Sequence, residues 1–194
     1  MTREEIFALY RERFVPIYSD FVSLKAVKPK QILIEQENIL AHLSQSYNPS
    51  ISTQLQKENL EKAYNHMVRV TLDLHKLVWA ASKERLDYFV LNEKNRLAFN
   101  LTDSDVLKLY EQFMDKAKTA RTYEMSHVGN SPLKSIDHYE EVNKIGNELL
   151  GKLDEIKAKT ITHWSRIFKT KEFIFGVLAS LVAAIMFYWI LPPC

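Results

Sequence analysis

Cysteine occurs once in this 194-residue chain, as Cys194, so an intrachain disulfide is impossible and cysteine-based zinc sites are excluded. Glycine is almost as scarce. Its four copies stand at 129, 146, 151 and 176, so the first 128 residues hold no glycine-rich loop to cradle a phosphate. Prolines stand at 16, 29, 49, 132, 192 and 193, which leaves no breaker of either kind between Pro49 and Gly129. A sheet protein needs a turn roughly every ten residues, so this stretch predicts an all-α chain. A surplus of one charge is missing too: the net charge is +2, giving no global basic excess for nucleic acid. The six histidines, at 42, 66, 75, 127, 138 and 163, show no H-E-x-x-H or comparable ligand spacing, and neither a metal nor a cofactor is expected. The opening "MTREEIFALYRERF" is charged within its first five residues and does not read as a secretory signal.

What is present is helical periodicity. Thr2 with Glu5 makes a capping box for a first helix to about Leu24, in which Pro16 predicts a kink or break. A second helix fits Pro29 to Tyr47. Ser52 then opens a long element that ends near Asn100 and is either one helix or two joined near "ASKERLD". "NLTDSD" is a turn in which Thr102 or Asp103 caps a fourth helix, which runs to about His127 and stops at Gly129. A fifth begins near Ser131 or Pro132 and runs through Leu149 and Leu153 towards Trp164. Residues 1–151 are expected to form the bundle.

The apolar residues are not spread evenly. Residues 173–191, "FIFGVLASLVAAIMFYWIL", carry no charge, and a helix needs about 20 apolar residues to cross the roughly 30 Å hydrocarbon layer. The pattern predicts a single transmembrane helix with a short tail at 172–194, with Tyr188 and Trp189 at interface depth. Residues 152–171 carry six basic and two acidic residues and are expected to form a basic juxtamembrane connector, in which Trp164, Arg166, Lys169 and Lys171 meet the membrane surface; the alternative is the solvated end of the last bundle helix. By the positive-inside rule the bulk of the chain would face the cytoplasm, anchored in the inner membrane. Gly176, Ala179, Ser180, Ala183 and Ala184 make a stripe of small residues on one face, the pattern through which such helices associate, and predict a homo-oligomer in the lipid bilayer.

One short motif carries chemistry. In "ARTYEMSHVGNSP", residues 120–132, Arg121 precedes His127 by six positions at a helix end. A histidine can act as general acid or base on a ribose hydroxyl without metal, while an arginine holds the phosphate. Six positions is about 600° of helix, which sets the pair roughly 120° apart unless the helix frays before His127. The alternative is structural: Arg121 pairs with Glu124 or Asp115, and His127 caps carbonyls.

An all-helical bundle with an R-x(4–6)-H element near the end of a late helix resembles the HEPN superfamily, whose members are often ribonucleases. Arg121 and His127 match its two motif residues, with Thr122 where the family usually carries Asn, Asp or His. With a membrane helix added, the chain looks like the membrane accessory proteins of type VI-B CRISPR loci, which accompany an RNA-guided ribonuclease. That resemblance implies an oligomer that forms a pore or perturbs the membrane in antiviral defence, with an RNA-guided effector or RNA as partner. The competing expectations are a membrane-tethered HEPN ribonuclease or toxin, with Arg121 and His127 catalytic, and a non-enzymatic membrane adaptor.

Overall fold

The computed structural model describes residues 2–190, and of these the side chains of all but 164–170, 184 and 187–190. The elements are α1 (Arg3–Leu9), a π-helical turn (Tyr10–Phe14), α2 (Val15–Lys25), α3 (Lys30–Ser46), α4 (Thr53–Val90), α5 (Glu93–Arg96), α6 (Asp103–Ser126), α7 (Pro132–Gly151) and α8 (Glu155–Ile190). Among the described residues the one extended pairing is an isolated bridge between Phe99 and Leu153.

Local rules account for most boundaries. The Thr2 hydroxyl accepts from the Glu5 amide at 3.2 Å while the Glu5 carboxylate accepts from the Thr2 amide at 2.6 Å, completing the capping box. Pro16 does not end the helical run, which continues through α2 to Lys25. The π-helical turn immediately before it widens the ladder where the proline ring would otherwise strike the carbonyl four residues back. Ser52 caps α4 through the Leu55 amide, and Thr102 caps α6 through the Asp105 amide, each at 3.2 Å. The long element is one helix of 38 residues, followed by the single turn α5, so "ASKERLD" lies inside α4.

The fifth helix departs from expectation. It stops at Gly151 rather than running on towards Trp164, because residues 152–154 are tied to 98–100. The Asn100 amide donates to the Lys152 carbonyl and the Asp154 amide to the Ala98 carbonyl, both at 2.8 Å. Asp154 then starts α8, its carboxylate accepting from the Ile156 and Lys157 amides at 3.0 Å.

α4 is the axis of the fold. Its first half packs with α1, α2 and α3 through Ile6, Phe14, Phe21, Ile32, Met67 and Leu74. Its second half packs with α6 and α7 through Leu86, Val106, Phe113, Tyr139, Val142 and Leu149. Each such large side chain contributes about 1.5–3 kcal/mol when fully buried. α7 crosses so close to α6 that a Cβ on Gly146 would lie 2.9 Å from the Phe113 ring. Only glycine fits there.

The membrane expectation is corrected. Among the described residues no helix is long and apolar enough to cross a membrane, which overturns both the single C-terminal transmembrane helix and the inner-membrane, cytoplasm-facing placement. The physical reason is that the apolar residues at 173–183 do not form a helix of their own. They are instead the exposed continuation of one helix whose first part is charged. The juxtamembrane role of Lys171 falls with the span. The side chains of Trp164, Arg166, Lys169, Ala184, Tyr188 and Trp189, and Cys194 with them, lie outside the described residues.

Candidate functional site at the end of α6

α6 ends where His127 leaves helical geometry, at φ −124° and ψ 33°. Gly129 follows at φ +79°, the left-handed region that a Cβ disfavours, and Pro132 restarts the chain as α7. This turn, with α4 beside it, walls a groove of about 820 Å³. Arg69, Asp73 and Lys76 come from α4, Glu124 and His127 from the end of α6, and Lys134 from α7. Arg121 is not part of the lining.

The centre of this region is Glu124. Its Oε2 accepts from Arg121 at 3.1 Å and from the Tyr139 hydroxyl at 2.9 Å, and its Oε1 accepts from the Lys76 ammonium at 3.1 Å. Lys76 also meets Asp73 at 2.8 Å. Burial by itself would raise the Glu124 carboxyl; the hydrogen bonds from Lys76 and Tyr139 outweigh it and hold the group below the ordinary glutamate value. Burial, with the bond to Glu124, pushes the Tyr139 hydroxyl up to about 12. The bond to Glu124 raises Arg121 further. These groups are locked in charged or hydrogen-bonded states and are poor proton carriers near neutral pH.

His127 is built differently. Its Nδ1 lies 3.1 Å from the Tyr123 carbonyl and 2.9 Å from the Ser126 hydroxyl. A carbonyl can only accept, so that bond puts the proton on Nδ1 and leaves Nε2 as the acceptor. The ring stacks on Tyr123 with centroids 4.2 Å apart, and His138 lies against Tyr123 at 4.5 Å.

Arg121 and His127 therefore sit on one helix end but engage different partners, Glu124 for the first and the Tyr123 carbonyl for the second. Of the two carboxylates proposed for Arg121, Glu124 holds it. The i, i+3 spacing made that pair legible. Lys76, Tyr139 and His138 were not singled out for this site. Lys76 lies 48 residues from Glu124 and Tyr139 lies 15 from it. Among the described residues no group of three or more His, Cys, Asp or Glu side chains is arranged to hold a metal ion. Comparison with protein-family models, curated proteins and solved structures finds no match, so the likeness to HEPN proteins rests on Arg121, His127 and the helical frame.

Proposed function

We propose that this chain acts by association rather than catalysis: the bundle is an interaction module, and α8 is the element through which copies of the chain join. One observation carries the reading. The described apolar side chains of α8 from Phe173 onward find no cover in the fold, with Phe173 73% and Phe175 69% exposed and Leu178 and Leu181 both more than half exposed. An apolar surface of that extent on every face of a helix calls for a partner. Gly176 offers room, since nothing lies within 4 Å of the Cβ position, and the Ser180 hydroxyl is already bonded to the Gly176 carbonyl at 2.8 Å. Packing through Gly176, Ala179, Ser180 and Ala183 would therefore be by shape rather than by hydrogen bonds. The setting that the resemblance implies, an accessory role beside an RNA-guided ribonuclease in antiviral defence, names the partner to test against the bundle. Sedimentation of the full chain checks the assembly: an oligomer is expected, and a single charge at Leu178→Glu should dissolve it. A wild-type monomer at micromolar concentration would end this reading.

A second reading, a metal-independent HEPN-type ribonuclease, is favoured by one feature, the Tyr123 carbonyl that orients His127 with Nε2 free to take a proton. Its test is RNA cleavage by purified protein in the presence of chelator. Cleavage that is lost in His127→Ala would put catalysis ahead of association.

A further inference from the structure

The small and the bulky side chains of α8 lie on opposite faces. Gly176, Ala179, Ser180 and Ala183 share one; Ile174, Leu178, Leu181 and Ile185, at i, i+4, i+7 and i+11, share the face across the helix. These four are 50–54% exposed. Two such helices packed through the small face would cover that face alone. The bulky face would stay in water as an apolar ridge, and a different surface is needed to receive it.

The groove at the end of α6 offers one. Its apolar lining is Tyr64, Val68 and Leu72 of α4, Val128 of the turn, and Pro132 and Leu133 of α7. Val128 is 73% and Leu133 39% exposed, so apolar side chains of the lining are within reach from outside. Its volume of about 820 Å³ lies in the upper part of the range for binding pockets. The charges of the groove are spent within the chain. Lys76 meets Asp73 and Glu124, Glu124 also holds Arg121 and Tyr139, and Arg69 faces Glu35 at 3.6 Å. A charged segment would have to compete with those pairs, whereas an uncharged one leaves them whole. Residues 173–191 carry no charge, so the bulky face of α8 and the groove match.

We infer that this groove receives α8 of a second copy of the chain, which seats Leu178 and its neighbours on the bulky face against Val128 and Leu133. Helix-in-groove recognition uses anchors at this spacing. The inference rests on the reading that α8 joins copies of the chain, and it names the surface that α8 meets. The contact is between unlike surfaces, with each copy offering one helix and one groove. Contact through the small face of α8 would instead pair like with like.

Mixing two full-length variants separates these modes. Leu178→Glu spoils the helix and keeps the groove; Val128→Glu spoils the groove and keeps the helix. Each alone is expected to sediment as a monomer under conditions where wild type is an oligomer. Mixed in equal amounts they should form a one-to-one dimer, because one intact helix meets one intact groove. The two new glutamates repel, so the altered surfaces cannot make that dimer themselves. Leu133→Glu places a carboxylate in the first turn of α7, where the helix dipole favours it, and carries the test if Val128→Glu loses the wild-type circular dichroism. A folded groove variant that assembles like wild type overturns the inference and leaves α8 pairing with α8. Monomeric variants whose mixture stays monomeric overturn it too. A monomeric wild type ends it together with the reading on which it rests.

Discussion

The end of α6 and the seam between α4 and α7 are opposites. At the first, polar groups ranging from the exposed Arg121 to the buried Tyr139 are paired, and with Lys76 they all converge on Glu124. At the second, polar groups sealed from water, His75 and Asn143 among them, keep unpaired atoms. Water competes for exposed charges, so pairing there adds little, whereas an unmet group in the interior bears its full desolvation cost. A motif read from sequence points to the first region. The energetic anomaly lies in the second.

The sharpest way to separate them is acid. The folded-state pKa of His75, about 4, lies below its ordinary 6.5 because burial disfavours the charged ring, with Arg13 adding repulsion. Between those values the unfolded chain binds a proton that the folded chain does not. The contribution is therefore complete above pH 6.5 and is lost as pH falls towards 4, about 3 kcal/mol at most. Thermal melts between pH 7 and 4 should show this slope, and His75→Phe should flatten it relative to wild type.

Gly146→Ala attacks the same seam from α7. The added Cβ meets the fully buried Phe113 ring at 2.9 Å, so a loss of about 1–3 kcal/mol is expected in urea unfolding. Glu124→Ala tests the other region. It strips the partner from the buried Tyr139 hydroxyl and from Lys76, with an expected loss of about 1–2 kcal/mol by the same measurement. Arg121→Ala should be smallest. With that side chain 56% exposed, a melting temperature within experimental scatter of wild type is expected. A large loss there would show that the arginine organises the site and would reverse the ranking of the two regions.

Sequence by itself determined the helical class and most of the starts. The capping box at Thr2, the caps at Ser52 and Thr102, the stop at Gly129 and the breaker-free stretch before it are rules of near neighbours, which act within one turn of helix. It also made the Arg121–Glu124 pair legible at i, i+3. What it missed is long-range. The stop of α7 at Gly151 comes with hydrogen bonds to 98–100, a tie that the local marks, Gly151 and the Asp154 cap, do not reveal. The π-helical turn just before α2 is a local adjustment near Pro16 that spacing alone does not show. The run 173–191 was read as a membrane span from hydropathy, which counts residues without their surroundings, and the described structure does not support it. Tertiary structure alone brought Lys76 to Glu124, and Asn143 to His75 across 68 residues. Which polar groups are met and which are sealed in unmet depends on packing between helices, and no local pattern encodes it.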